Sequence, residues 1–181
     1  MLLLALERAP LERMIINAAR QDNGRWLGHV MRLLAKDRVR DVVLVGDSRT
    51  SLPPTADADL QAWLSSGRSL CLRGLHISAA LAGALAQASS LQSLTLDRVL
   101  GLSGPVVLPA SLTTFTWVFD ARPLASTAVA ASLVSAPHLT HLTLDGGLCP
   151  DAVATALMAL PALSSLRLHG LALCHAGRCW W

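Results

Sequence analysis

The chain has 181 residues, 52% of them hydrophobic, and a formal net charge of +3 at pH 7. This length suits one domain that buries roughly 70% of the surface its unfolded form would expose. No apolar run approaches the ~20 residues of a membrane-spanning helix, and the small, interspersed basic excess excludes the basic patch of a nucleic-acid-binding protein. We therefore expect neither a nucleic-acid nor a membrane partner.

The N-terminus and the cysteines bear on the compartment. Residues 1–6 begin like the apolar core of a secretory signal peptide, but Glu7 and Arg8 interrupt it and no basic region precedes it. The cysteines at positions 71, 149, 174 and 179 lack the spacing of a disulfide framework. We expect a cytoplasmic protein with reduced cysteines.

Seven segments share the spacing apolar-x-x-apolar-x-apolar, in full or in part, and predict strands. In chain order they are Leu11/Met14/Ile16, Val43/Val45, Leu70/Leu72, Leu91/Leu94/Leu96, Leu112/Phe115/Trp117, Leu139/Leu142/Leu144 and Leu163/Leu166/Leu168. Their registers lie 29, 27, 24, 21, 27 and 24 residues apart. Periods in this range predict a solenoid in which each unit gives one short strand to a curved parallel sheet.

Helix-like stretches lie between the predicted strands, several with Ser, Thr or Asp at the start and Gly or Pro near the end. They cover residues 24–36, 57–65, 78–88, 125–135 and 151–160. The segment 97–110, rich in Gly and Pro, is predicted to be extended. The predicted fold class is α/β: a right-handed horseshoe with a parallel sheet on its concave face, and helices and irregular segments on its convex face.

These segments resemble the leucine-rich repeat superfamily over nearly the whole of residues 6–173, and the longer units look most like its ribonuclease-inhibitor type. Residues 83–96 are similar to the GALA-type repeats of bacterial plant-pathogen effectors, which contain an F-box and recruit host ubiquitin ligase. The resemblance implies a non-enzymatic module that binds a protein on its concave sheet face. The substrate-recognition part of an F-box adaptor or of such an effector is the alternative.

The chain departs from this family at one position of each turn. The family has an Asn three residues after the last strand Leu, and its side chain ties down the turn. Leu75, Val99, Gly147 and Leu171 stand there instead. The backbone groups of these turns must find other partners, since buried unpaired amides are costly.

The start of the chain resembles the inside of a repeat. Residues 6–11 match residues 133–139, where one convex helix leads into the next strand. We therefore predict one leucine-rich repeat domain over residues 1–175, as a fragment of a longer array, with a tail at 176–181. An uncapped first strand at residues 11–16 predicts self-association through its edge.

Two groups of residues resemble sites with other functions, an esterase nucleophile and a zinc site. Gly46-Asp47-Ser48 after an apolar strand resembles the nucleophile block of GDSL-type esterases, in which Ser48 would attack an ester. The chain has neither the Gly-x-Asn oxyanion element nor the C-terminal Asp-x-x-His of those enzymes, so we interpret the motif as a turn and expect no enzyme. His169, Cys174, His175 and Cys179 lie close in sequence but lack the paired knuckles of a zinc site, and we expect no metal and no cofactor.

Strand alternation assigns the remaining side chains to the two faces of the sheet. The residues between core positions are Ile15, Leu44, Cys71, Thr95, Thr116, Thr143 and Arg167, all predicted to be concave. The aromatic residues Phe115, Trp117 and Phe119 are predicted to face inward. The candidate partner-binding residues are Thr116, His141, Thr143, Asp145, Arg167 and His169, with Asp145 beside His169.

Overall fold

A computed structural model describes residues 12–18, 30, 39–102, 104–119, 126–146, 150–170, 173–175 and 178–180. Its strands are β1 (Arg13–Asn17), β2 (Asp41–Ser51), β3 (Ser69–His76), β4 (Ser93–Asp97), β5 (Thr114–Val118), β6 (His141–Asp145), β7 (Ser165–His169), β8 (Leu173–His175) and β9 (Arg178–Trp180). Its helices are α1 (Pro54–Trp63), α2 (Ala79–Ala86), α3 (Ser126–Val134) and α4 (Pro150–Met158). Of the helix predicted at 24–36, only Val30 is described, and it is helical and buried.

Strands β1 to β7 form one parallel sheet in chain order. Each strand pairs with its sequence neighbours, so among the described strands β1 and β7 lie at the two edges of the sheet. Strands β8 and β9 pair with each other in antiparallel fashion. The parallel pairing predicted for the Leu94 and Phe115 strands is confirmed. The described part of the predicted extended segment 97–110 contains no helix, and after the end of β4 it contains only an isolated bridge at Leu100.

Two rows of side chains that run across the sheet point into the core. The first row is Met14, Val42, Leu70, Leu94, Phe115, Leu142 and Leu166, and the second is Ile16, Leu44, Leu72, Leu96, Trp117, Leu144 and Leu168. The inward orientation predicted for Phe115 and Trp117 is confirmed, while Phe119 is only partly buried and stacks on Trp117 at 4.9 Å between ring centroids.

The predicted register of β2 is wrong by one residue. Val42 and Leu44 are buried, whereas Val43 and Val45 are only partly buried. Four successive apolar residues carry no alternation, so the sequence alone cannot choose their face, and a slip of one residue inverts every side chain. Pairing with β3 fixes the register, and it places Val43 instead of Leu44 on the face of the sheet that points away from the core.

The helices cover the face of the sheet that carries these two rows. Their buried residues join the strand residues in one core: Ala56, Leu60 and Trp63 from α1, Leu81 and Leu85 from α2, Val129 and Leu133 from α3, and Val153 and Ala156 from α4. The indole Nε1 of Trp63 donates a hydrogen bond of 2.7 Å to the carbonyl of Val39. The buried polar atom of this large side chain is therefore satisfied.

The repeated apolar spacing predicts that Leu142 and Leu166 are both buried core residues, and only Leu142 is buried. Leu142 is 1% exposed, whereas Leu166, its neighbour in the same row, is 42% exposed. Leu166 lies on β7, and in the described part of the chain no strand pairs with the outer edge of β7. Leu166 therefore lacks a neighbouring strand on one side, whereas Met14 and Ile16 on the other edge strand, β1, are buried.

One hydrogen-bond pattern recurs where the strands begin, and we call each instance a carbonyl joint. In each, one backbone carbonyl accepts bonds of 2.8–3.1 Å from two successive N–H groups of the next segment. The carbonyls are those of Glu12, Arg40, Arg68, Gln92, Thr113 and Thr140, spaced 21 to 28 residues apart. In three joints a hydroxyl, from Thr113, Thr140 or Ser164, donates a third bond to the same oxygen.

At the opposite ends of the strands, backbone groups satisfy the turns that lack Asn. The N–H of Leu100 donates to the carbonyl of Leu75, and the N–H of Ile77 donates to the carbonyl of Leu100, both at 2.8 Å. Gly147 and Leu171 lie outside the described residues. The residue after the strand register adopts positive φ at Gly74, Arg98, Gly146 and Gly170, which makes Arg98 a non-glycine residue in a conformation that favours glycine.

Candidate functional site

The side of the sheet away from the helices is here called the open face. It carries the side chains at the registers of Arg13, Ile15 and Asn17 on every strand from β1 to β7. On β3 to β6 most of these side chains are exposed or partly buried and alternate with the buried core rows, and the exception is the buried Asp97 on β4. Most parallel sheets are covered on both faces, so an accessible polar face is the most informative feature of this one.

The six residues predicted to bind a partner all lie on the open face of β5, β6 and β7. The middle register brings Thr116, Thr143 and Arg167 together in one row. Asp145 on β6 lies opposite His169 on β7 in the strand register, as the spacing predicts. His141, Arg167 and His169 are exposed, whereas Thr116, Thr143 and Asp145 are half-buried. The structure places these residues together, and their role in binding stays a prediction.

His141 is held by the hydroxyl beside it. Thr140 Oγ1 donates to the carbonyl of Thr113 at 2.9 Å and lies 2.8 Å from His141 Nδ1. A threonine hydroxyl has one proton, so in this arrangement Oγ1 accepts from the ring, and Nδ1 carries the hydrogen. In this arrangement Nε2 of the exposed imidazole is a hydrogen-bond acceptor.

A second part of the open face was not identified from the sequence as a site. A groove of about 450 Å³ lies over β1 to β4 and is lined by Arg13, Asp41, Val43, Ser69, Cys71, Arg73 and Thr95. All of these residues occupy open-face registers. The available signal was the charged residue that follows the last core position of a strand, which is Arg73 on β3 and Asp97 on β4.

A buried carboxylate anchors two arginines at the end of this groove. Asp97 Oδ2 bonds Arg73 Nε, and Asp97 Oδ1 bonds Arg98 Nε at 3.0 Å. The Asp97 side chain is 8% exposed, whereas those of Arg73 and Arg98 are 53% and 58% exposed. Both arginines bind through Nε alone, so in the described part of the chain their terminal nitrogens have no protein partner. Arg98 holds this position despite its φ of 49°.

The floor of the groove contains a half-buried thiol. Burial raises the pKa of Cys71, the positive charges of Arg73 and Arg13 act to lower it, and the negative charge of Asp97 acts to raise it. The thiol therefore stays protonated at neutral pH, which argues against a nucleophilic role. Arg73 on β3 and Arg13 on β1 both line the groove that contains this thiol.

The Gly46-Asp47-Ser48 segment lies within β2 rather than in a turn that ends it. The pairing with β3 shifts between Val45 and Thr50, which marks an irregularity within the strand. Thr50 Oγ1 donates to Asp47 Oδ1 at 2.7 Å and accepts from the Asp47 N–H at 3.3 Å. Interpreting this segment as a turn after the strand is thus wrong in detail, while the Ser48 side chain lies outside those described.

Gly46 has a packing reason for being glycine. A Cβ at this position would lie 2.5 Å from the carbonyl oxygen of Gly74 and 2.6 Å from Leu75 Cδ2. The close approach of two backbones on neighbouring strands requires glycine here. The glycine of the Gly46-Asp47-Ser48 segment therefore has a packing explanation.

Two further observations concern metals and membranes. Within the described residues no group of three or more His, Cys, Asp or Glu side chains could hold a metal ion, and the side chains of Cys174, His175 and Cys179 lie outside that description. In the same part of the chain, none of the helices has the length and apolar character needed to traverse a lipid bilayer.

Comparison of the chain with protein-family models, with curated proteins and with solved structures finds no match.

Proposed function

We infer that this chain is a non-enzymatic leucine-rich repeat module that binds a protein partner on its open face, the concave side of a solenoid. The observation that carries this proposal is a parallel sheet with helices on one face and accessible polar side chains on the other. A domain that needed its sheet only for stability would cover both faces. A specific protein–protein interface needs a wide surface that becomes buried when the partner binds, and the open face is such a surface.

The recurring geometry supports the repeat interpretation. The carbonyl joints return every 21 to 28 residues, within or close to the periods typical of leucine-rich repeats. The segments 70–75 and 166–171 share the pattern Leu-x-Leu-x-Gly-Leu, and their glycines, Gly74 and Gly170, have nearly the same φ of 56° and 61°. Equivalent residues thus hold equivalent conformations in segments far apart in the chain.

The composition of the open face favours a protein over a small molecule. Small hydroxyls occupy its middle, with Thr95, Thr116 and Thr143 in one row, and charged side chains lie at its ends. Such a surface offers many hydrogen-bond donors and acceptors without a deep apolar pocket, unlike most small-molecule sites. Hydrogen bonds spread over an interface of this kind are typical of protein–protein contacts.

Partner capture tests the proposal. The immobilised chain should retain a partner protein from a cell lysate, and the double variant His141→Ala/Arg167→Glu should lose it while its thermal midpoint stays nearly unchanged. A matched control makes the same two kinds of change, with the same change in net charge, at exposed residues outside the open-face registers, His138→Ala and Arg68→Glu. Capture that persists in the first variant, or that is lost equally in the control, would contradict binding through β6 and β7.

A further inference from the structure

The groove over β1 to β4 holds cationic groups at opposite corners. Arg13 begins β1 and Arg73 lies near the end of β3, so two strand spacings and four residues separate them in the pairing register. With strands about 4.8 Å apart and a rise of about 3.3 Å per residue, their Cα atoms lie roughly 16 Å apart across the sheet. Both side chains line the groove, and both charges act on Cys71 between them.

The groove lining favours a negatively charged occupant. Arg13 and Arg73 outnumber the single carboxylate of the lining, Asp41. The nearby Asp97 is buried with both of its oxygens bonded to arginine, so it serves to hold Arg73 and Arg98 in place and is not presented to a ligand. A guanidinium fixed through Nε still offers its terminal nitrogens, which match the two oxygens of a carboxylate.

We propose that this groove binds an extended peptide segment of a partner protein through two carboxylate side chains, one at Arg13 and one at the Arg73–Arg98 pair. This inference rests on the proposed function and adds the chemistry of the partner. In an extended chain, residues i and i+4 point to the same side and lie about 13 Å apart. With the reach of long side chains, that spacing matches the two corners of the groove, whereas adjacent acidic residues point to opposite sides.

The arginine pair is preorganised for this role. Two like charges held side by side repel each other, and the left-handed backbone of Arg98 adds conformational strain. Asp97 compensates for both from a buried position, without occupying the outward side of either guanidinium group. A second carboxylate, from a partner, would complete an alternating array of charges.

Selection from a displayed library of random ten-residue peptides tests the inference. Peptides enriched by the wild-type chain should carry acidic residues at i and i+4, and replacing both by Gln in the best peptide should weaken its affinity at least about tenfold, the scale of one charge-assisted hydrogen bond. The variant Arg13→Glu/Arg73→Glu should lose this peptide and select basic pairs. Enrichment of uncharged or basic peptides by the wild-type chain, or no enrichment at all, would overturn the inference.

Two controls locate the binding. The variant Arg40→Glu/Arg68→Glu makes the same change in net charge at exposed arginines that do not line the groove, and it should retain most of the affinity. An equal loss would show a diffuse charge effect and refute a specific site. In the unmodified chain, the bound peptide should slow iodoacetamide alkylation of Cys71, measured by mass spectrometry of the digested protein, and unchanged alkylation would place the peptide elsewhere.

The outcome is separable from that of the proposed function. If partner capture depends on His141 and Arg167 while the acidic peptides do not bind, the module binds its partner through β5 to β7. Only the inference about the groove is then refuted. If the peptides bind and protect Cys71 while the His141/Arg167 variant still captures its partner, the groove inference stands and the predicted C-terminal site falls.

Discussion

Leu142 and Leu166 form a matched pair for testing the register of the sheet. They are the same residue at paired positions on adjacent strands, 1% and 42% exposed respectively. Truncation to Ala removes three carbon atoms, which contribute about 0.8 kcal/mol each when buried. For Leu142 this transfer term is about 2.4 kcal/mol, and the cavity left in a closed core raises the expected loss to about 3–4 kcal/mol.

Leu166→Ala should cost much less. Only about 58% of the side chain is withdrawn from water, which reduces the transfer term to roughly 1.4 kcal/mol. Little cavity is added because the site is already open on one side. We therefore expect Leu142→Ala to exceed Leu166→Ala by about 2 kcal/mol.

Urea unfolding of the two variants and the wild type measures this difference. Tryptophan fluorescence and far-ultraviolet circular dichroism should be followed together, because coincident transitions are needed before a single free energy of unfolding is meaningful. Trp117, buried beside the Leu142 strand, makes the fluorescence signal sensitive to this region. Equal losses for both variants, or a loss under about 1 kcal/mol for Leu142→Ala, would refute the register.

Four more predictions address other parts of the molecule. Gly46→Ala should destabilise the fold by about 1–3 kcal/mol in the same urea assay, since the new Cβ meets a backbone carbonyl at 2.5 Å, and an unchanged midpoint would contradict the close approach. Because burial raises the pKa of Cys71, its alkylation should have a midpoint at higher pH in the folded chain than in urea, and coincident midpoints would exclude the effect. Wild type and Ser48→Ala should hydrolyse a short-chain ester at the same background rate, whereas activity that disappears with Ser48 would establish an esterase. Ile15 is 64% exposed on edge strand β1, so light scattering should show association that rises with concentration and that Ile15→Lys reduces, and a wild-type chain that stays monomeric would refute edge pairing.

Most of the sheet could be predicted from the sequence because its apolar spacing is regular. The registers of β3 to β7 follow from leucines and aromatic residues separated by polar ones, which leave a single way to bury the apolar face. Strand β2 could not be placed the same way, because residues 42–45 are all apolar. Its register depends on hydrogen bonds to β3 and on the close contact at Gly46, neither of which has a local sequence signal.

The candidate site was predicted only in its C-terminal half. The column that places Asp145 beside His169 also places Arg73 beside Asp97, so the arginine–carboxylate cluster was within reach of the same argument. The sequence could not predict that Arg98 is the third residue of this cluster. Arg98 follows the strand register and reaches Asp97 only through a left-handed backbone conformation. The exposure of Leu166 was equally inaccessible, because it depends on what covers the sheet edge and not on the residue itself.

The carbonyl joints make the connection between neighbouring segments largely independent of side-chain identity. Each joint needs one carbonyl and two successive N–H groups, which any residues except proline supply, and hydroxyls strengthen some joints without being present in all. Segments of 21 and of 28 residues use the same connection, so the length of the intervening stretch is free to vary. A whole segment could thus be duplicated, deleted or exchanged during evolution, because the carbonyl joint on either side can form between the new neighbours. In protein engineering, the same property would allow the open face to be widened strand by strand, with each added strand contributing new surface residues chosen only for the partner.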